Sequence, residues 1–236
     1  MTSTTIQNVS RPIQIPLHGT AIFGDLQIPA KALGLIIFVH GSGSSRFSVR
    51  NRYVAEQLND RALGTLLLDL LTKQEQEIDE ETMQFRCDIP LLAERSTLAV
   101  RWAMGHPELQ ELPIGVFGAS TGAAAALITA AELKRQVVAV VSRGGRPDLA
   151  QDALNKVEAP TLLIVGGEDH TVLDLNGRAL RRMHCLNRLH IVPGATHLFE
   201  EPGALEQVAT TAAEWFIEHM QDRRALGPSK KVSGWK

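Results

Sequence analysis

The stretch LPIGVFGASTGAAAALITAA, residues 112–131, decides the fold. Its first part, up to Phe117, is a short apolar run of the kind that forms a strand buried on both faces. From Thr121 onward the stretch is rich in alanine, which predicts a helix. Between them, Gly118–Gly122 has the pattern G-x-S-x-G, whose small residues allow a sharp turn. The stretch therefore predicts a strand, a strained turn and a helix, with Ser120 at the tip of a sheet.

The composition indicates a globular α/β protein. Residues 112–131 have no charged side chain, as in a membrane span, but three glycines, a proline, a serine and two threonines interrupt them, and we expect no membrane contact. A length of 236 residues with 44% hydrophobic residues fits one α/β domain as easily as two small ones, and we favour one. The net charge of −2 offers no basic field for nucleic acid. Two cysteines and an N-terminus without a secretory pattern favour the cytoplasm.

Strand patterns alternate with helix patterns along the chain. We predict two antiparallel edge strands within residues 12–29, and strands at 33–39, 64–70, 112–117, 137–141, 160–165 and 188–192. We predict helices at 49–63, 89–104, 121–131 and 204–220 and a short helix before Pro160. The acidic segment 73–86 is expected to be a solvated loop, and the alternative is that it partly covers the site and disfavours acidic ligands. Such alternation requires a mostly parallel sheet with helices on both faces. Residues 1–222 are expected to form a single domain, followed by a disordered basic tail, 223–236.

Three reactive side chains follow predicted strands. Ser120, Asp169 and His197 occur in the chain order nucleophile, acid, histidine. The carboxyl ends of parallel strands meet at one edge of the sheet, so we expect the three side chains to lie together. His197 would act as the base for the Ser120 hydroxyl, and Asp169 would orient the imidazole. Glu168 is the nearest alternative acid.

Two further groups at this edge could serve a substrate. The backbone N–H groups of Ser42 and Thr121 are the predicted oxyanion hole, because glycines flank Ser42 and let the chain approach. Arg143 and Arg146 follow a strand, and they belong either to a solvated turn or to a site for a substrate carboxylate. The other histidines lack the spacing of metal ligands, so we expect neither a metal nor a cofactor.

Four motifs give the chain a resemblance to a known family. They are His40-Gly41-Ser42-Gly43, Gly118-Ala119-Ser120-Thr121-Gly122, Gly167-Glu168-Asp169-His170-Thr171-Val172 and Gly194-Ala195-Thr196-His197. With them, residues 20–220 resemble the dienelactone-hydrolase-like branch of the α/β-hydrolases. The resemblance implies an α/β-hydrolase fold and hydrolytic activity. Dienelactone hydrolases use a cysteine nucleophile, whereas position 120 is serine, so the chain looks like a serine esterase built on the same frame.

The spacing of the motifs limits the substrate. Only 48 residues separate Ser120 from Asp169, too few for a cap domain. We expect a shallow site that takes a small ester, lactone or thioester and hydrolyses it through an acyl-serine. A protein that binds a small molecule with little turnover, and an acyltransferase, stay open as alternatives. The sequence identifies neither the natural substrate nor the oligomeric state.

Overall fold

Fully buried strands form the centre of the structure, a computed structural model that describes residues 9–225. All residues of the strands at 64–68 and 114–119 are buried, as are all but one of the strand at 137–143. Such burial is typical of strands covered on both faces. The strands are β1 (Val9–Leu17), β2 (Thr20–Ile28), β3 (Leu35–Val39), β4 (Gly64–Leu68), β5 (Ile114–Ala119), β6 (Val137–Arg143), β7 (Thr161–Gly166) and β8 (Asn187–Val192).

The eight strands form one mostly parallel sheet in the order β1-β2-β4-β3-β5-β6-β7-β8. β1 and β2 form an antiparallel hairpin, and β2 runs antiparallel to β4; all other neighbours are parallel. The predicted sheet is confirmed. Of the two strands predicted for the edge, β1 is the edge strand and β2 lies inside it. β5, which precedes Ser120, lies between β3 and β6, and all its residues are buried.

Two layers of helices cover the sheet. The helices are α1 (Val49–Asn59), α2 (Lys73–Thr82), α3 (Ile89–Gly105), α4 (Gly122–Glu132), α5 (His170–Leu180) and α6 (Ala204–Ala225), with a 3₁₀ segment at Pro147–Lys156. α1 and α6 pack on one apolar core, whereas α3, α4 and α5 pack on the other. α4 is built almost entirely of small buried residues, so it lies close to the sheet directly behind the turn at Ser120. Within residues 9–225 no helix is both long and apolar enough to cross a membrane.

The acidic segment 73–86 is not the loop that its charge suggested. Its first ten residues form α2, because the Thr72 hydroxyl accepts the Glu75 N–H while the Glu75 carboxylate accepts the Thr72 N–H. This reciprocal pair satisfies two N–H groups at the start of the helix. The T-x-x-E spacing was the signal in the sequence that would have predicted it.

Two further boundaries differ from the sequence-based prediction. α5 was not predicted; it begins after Asp169, whose carboxylate accepts the Val172 N–H. α6 continues to Ala225, three residues into the segment expected to be a tail, and the Arg223 guanidinium donates to the Arg135 carbonyl. The rest of that predicted tail, 226–236, lies outside the described residues.

Candidate active site

Ser120 occupies a strained turn between β5 and α4. Its φ is +50°, in the left-handed region that residues other than glycine rarely adopt. A Cβ at Gly118 would lie 2.5 Å from the Ala123 Cα, and a Cβ at Gly122 would collide with the carbonyl oxygens of Val39 and His40. Both glycines are therefore needed for the turn to fit against α4 and β3. The turn holds the Ser120 hydroxyl at the carboxyl edge of the sheet.

Asp169 and His197 reach Ser120 from two neighbouring strands. Asp169 follows β7 and His197 follows β8. His197 Nδ1 lies 2.6 Å from Asp169 Oδ2, and His197 Nε2 lies 3.5 Å from Ser120 Oγ. Because a carboxylate only accepts hydrogen bonds, the Nδ1 atom carries the proton and Nε2 is left free to accept the serine proton. The arrangement has the connectivity of a nucleophile, a base and an orienting acid.

The alternative acid, Glu168, does not face His197. Its carboxylate is more than half exposed and lies 3.9 Å from the exposed His170 imidazole. The side chain of Asp169 is only 14% exposed, and its other oxygen accepts the Val172 N–H at the start of α5. The backbone after β7 thus turns Asp169 inward and Glu168 outward.

His40 joins the loop at residues 40–45, called the oxyanion loop after the role predicted for Ser42, to Leu70, which lies just beyond β4. The ring is buried; its Nε2 accepts the Leu70 N–H at 3.1 Å, and its Nδ1 lies 2.9 Å from the Gly41 carbonyl oxygen. Since Nε2 accepts, Nδ1 must carry the proton and donate. Burial lowers the pKa of His40, although the Gly41 carbonyl and Asp69 act in the opposite direction. His40 is therefore neutral and holds Gly41 of the loop close to Leu70. The sequence motif alone did not predict this role.

The two groups expected to form an oxyanion hole lie side by side. The Ser42 N–H donates to the Thr121 hydroxyl oxygen, with N and Oγ1 2.8 Å apart. The Ser42 hydroxyl in turn donates to the Arg86 carbonyl at 2.7 Å and lies 3.1 Å from the Cys87 sulfur. In the part of the chain that the structure describes, no protein acceptor takes the Thr121 N–H.

The segment that carries Arg86 and Cys87 is held by one buried carboxylate. Asp79, on α2, accepts the backbone N–H groups of Phe85 and Arg86 and the Arg86 guanidinium, each at 2.8 Å. Burial alone would raise the pKa of Asp79, but these hydrogen bonds outweigh it and hold that pKa below its ordinary value. No signal in the sequence identified this link between α2 and the oxyanion loop.

The two candidate arginines differ sharply. Arg146 is partly exposed and forms a two-pronged ion pair with Asp148, at 2.8 and 2.9 Å. Arg143, the last residue of β6, is 8% exposed, and its Nε and Nη1 atoms have no hydrogen-bond partner among residues 9–225. Burial lowers the pKa of Arg143 to about 10, and the charge of Arg50 acts in the same direction. Arg143 is thus a buried cation without a counter-charge.

A cavity of about 460 Å³ lies against His40, Ser44 and Ser45 of the oxyanion loop. Its walls include the rings of Phe23 and Phe47, the side chain of Leu71 and the first turn of α2. Cavities of this size accept small organic molecules. Among residues 9–225, no cluster of three histidine, cysteine or acidic side chains is placed to hold a metal ion.

Comparisons with known proteins identify relatives of this chain. The model of the dienelactone hydrolase family matches residues 25–222. The crystal structure of a dienelactone hydrolase from Anabaena variabilis is similar over 91% of this chain and 99% of its own, with 52% identity and a TM-score of 0.89. Est1E from Butyrivibrio proteoclasticus shares the fold at 17% identity, covering 89% of this chain and 99% of its own, with a TM-score of 0.74.

The curated relatives carry a different kind of name. Two proteins from strains of Mycobacterium tuberculosis, provisionally named phosphoribosyl transferases, are each 52% identical to this chain over 208 residues. The match covers 88% of this chain but 46% of each relative. The chain therefore spans about half the length of the curated relatives that it matches.

Proposed function

The chain belongs to the dienelactone hydrolase family, and from this premise we propose that it is a serine hydrolase of small carboxylic esters, lactones or thioesters. The observation that supports the proposal is the series of contacts from Asp169 through His197 to Ser120, at 2.6 and 3.5 Å. Each contact joins the groups that nucleophilic catalysis by a serine requires.

The proposed reaction begins with attack of Ser120 Oγ on the substrate carbonyl carbon. As the new C–O bond forms, the hydroxyl proton passes to His197 Nε2, and Asp169 stabilises the resulting imidazolium. The carbonyl electrons move onto oxygen, where the Thr121 N–H, which donates to no protein acceptor among residues 9–225, stabilises the negative charge. The bond to the leaving group then breaks, and His197 returns the proton to the departing alcohol or thiol.

A water molecule completes the cycle. His197 removes one proton from the water as its oxygen attacks the acyl carbon, and the proton then returns to Ser120 Oγ as the acid is released. The His197 side chain is 41% exposed, so water reaches the base without movement of a lid. This openness supports a small substrate and turnover by hydrolysis.

Arg143 supports a preference within this class of substrate. We propose that its guanidinium binds a carboxylate on the substrate, because a buried cation without a partner is costly unless a ligand supplies the counter-charge. Its backbone carbonyl accepts the Ser120 N–H at 3.1 Å, so the Arg143 backbone lies directly beside the turn at Ser120. Arg146 already has Asp148 as its partner and is not part of this proposal.

The transferase name of the curated relatives is not assigned to this chain. It describes proteins of which this chain matches less than half. The contacts of Ser120 and His197 support an acyl-serine mechanism for this chain.

Labelling with a fluorophosphonate and assays with p-nitrophenyl esters of increasing chain length test the proposal. We expect one adduct by intact mass, located on Ser120, and turnover that is fastest for short chains. Ser120→Ala should lose the adduct and slow hydrolysis by more than about 10³-fold. Ser96→Ala, which removes a buried hydroxyl on α3 that has no hydrogen-bond partner among residues 9–225, is the matched control and should behave as the unmodified protein.

Two other outcomes would overturn hydrolysis. A protein that binds small esters but forms no adduct and no product is a binding protein. Product formed from an added alcohol in preference to water identifies an acyltransferase.

A further inference from the structure

The Thr121 side chain does not have the role that its position usually has. It stands at the N-cap of α4, where threonine commonly accepts an N–H from the first turn of its own helix, yet it makes no such bond. Its hydroxyl instead faces the oxyanion loop. Oγ1 lies 2.8 Å from the Ser42 nitrogen and 3.1 Å from the Ser42 Oγ. The side chain is therefore held toward the site and away from its helix.

The positions of the protons follow from the partners. Each hydroxyl has one proton, and the Ser42 proton is committed to the Arg86 carbonyl, which only accepts. In the 3.1 Å contact between the two hydroxyls, Thr121 must then be the donor. The Ser42 N–H points at Thr121 Oγ1. Since that N–H has a single proton, it is not directed at the space beside Ser120.

We propose that the Thr121 hydroxyl is itself a donor of the oxyanion hole, with the Ser42 N–H acting through it. Three bonds separate the backbone nitrogen of Thr121 from its Oγ1 atom. The N–H and the O–H are therefore close enough to donate to the same oxygen atom. Rotation about the Cβ–Oγ1 bond turns the Thr121 proton from Ser42 Oγ to the oxyanion, while Oγ1 stays in place. The Ser42 N–H continues to donate to Oγ1 and polarises it, which strengthens Thr121 as a donor.

This inference rests on the proposed ester hydrolysis and changes one part of the predicted site. The oxyanion would be held by the N–H and the O–H of Thr121, and Ser42 would be a positioning residue behind them. No proton is transferred to or from Thr121 in any step. The Arg86 carbonyl has an indirect role. It accepts the Ser42 hydroxyl proton, so that the Ser42 oxygen is oriented to accept the Thr121 hydroxyl proton when no substrate is bound.

Thr121→Val and Thr121→Ser separate the hydroxyl from the rest of the side chain. Valine keeps the branched shape and removes the O–H; serine keeps the O–H. For p-nitrophenyl acetate we expect Thr121→Val to lower kcat by about 10²-fold with little change in KM, because one oxyanion donor is worth that much. Thr121→Ser should stay within a few-fold of the original enzyme. Thr211→Val, on α6, is the control for the same chemical change.

A second measurement isolates the oxyanion. An arylboronic acid forms a tetrahedral adduct with a serine nucleophile, so its inhibition constant should rise by a similar factor in Thr121→Val and not in Thr121→Ser. Melting temperatures of the three variants report whether each is folded.

The outcomes distinguish this inference from the function on which it rests. If the original protein hydrolyses esters and folded Thr121→Val keeps its kcat and boronate affinity, the hydroxyl is not an oxyanion donor, although the hydrolase proposal stands. If the original protein neither turns over esters nor reacts with a fluorophosphonate, hydrolysis and the role of Thr121 are both wrong. A loss of activity in Thr121→Ser as large as in Thr121→Val would also overturn the role of the hydroxyl.

Discussion

Arg143 is the residue whose environment is hardest to explain by folding alone. A charged side chain that is 8% exposed normally has a counter-charge, whereas the charge that acts on the Arg143 pKa is that of another cation, Arg50. Arg50 already pairs with Glu200 at 3.1 Å. The free energy of folding would therefore favour a neutral residue at position 143, and the presence of arginine there supports a role with an anionic ligand.

Substitution of this residue gives the first prediction of substrate preference. Arg143→Met keeps most of the side-chain volume and removes the charge. We expect the KM for p-nitrophenyl hydrogen succinate to rise by about 10-fold or more, since a hydrogen bond to a charged group contributes about 1.5–3 kcal/mol. The KM for neutral p-nitrophenyl acetate should stay the same, and the melting temperature should be unchanged or higher.

Arg146→Met is the matched control because it removes a partly exposed arginine from the same turn. It should affect neither ester. Equal losses for the charged and the neutral ester in Arg143→Met, or the same selectivity change in both variants, would contradict carboxylate binding by Arg143.

At the scale of elements, α2 positions the oxyanion loop through Asp79. The carboxylate holds residues 85 and 86, and the Arg86 carbonyl holds the Ser42 hydroxyl. Removal of the Asp79 carboxylate leaves Arg86 Nε and two backbone N–H groups without their acceptor in a partly buried place, while Arg86 Nη2 still donates to the backbone carbonyl of residue 79. The stability of α2 and the geometry of the site are thus joined in one set of contacts.

Asp79→Ala should lower the free energy of unfolding by about 3 kcal/mol, as expected when one partner of a buried ion pair is removed. We also expect a lower kcat for ester hydrolysis with the adduct on Ser120 still formed. Asp174→Ala removes the same side chain from an exposed pair with Arg178 on α5 and should cost about 0.5 kcal/mol or less. Urea unfolding measures both, and equally small effects would show that Asp79 does not anchor the segment.

At the scale of the whole molecule, two apolar cores share one sheet. Trp102 packs against the core under α3 and α4, whereas Trp215 is buried in the core under α1 and α6. Because β3 and β5 contribute side chains to both cores, neither layer should unfold without the other. This is the expectation for a single domain.

Single-tryptophan reporters test it. In a Trp235→Phe background, Trp102→Phe and Trp215→Phe each leave one tryptophan in one layer. We expect both fluorescence signals and the far-ultraviolet circular dichroism to give the same urea midpoint within each variant. Two separated midpoints would mean that the layers unfold independently and that the single-domain prediction is wrong.

The main features of the fold were predictable from the sequence because they depend on local patterns. Buried strands appear as short apolar runs, and the turn at Ser120 appears as small residues at fixed spacing. The predicted strands placed Ser120, Asp169 and His197 at strand ends. α2 was not predicted because its acidic charge was interpreted as a loop and the capping pattern at Thr72 was not used. α5 was not predicted because Asp169 was interpreted as the acid and not also as the residue that caps a helix.

The sequence by itself determined the parallel sheet, the strained serine and the three residues expected to work together, since strand periodicity and turn geometry are properties of neighbouring residues. Only the tertiary structure decided which acid faces His197, which arginine lacks a partner and where the Ser42 N–H points. Those features depend on contacts between residues far apart in the chain, such as Ser42 with Thr121 and Asp79 with the segment that reaches Ser42. Packing against the completed sheet brings these groups together, and no local pattern encodes which of them will meet.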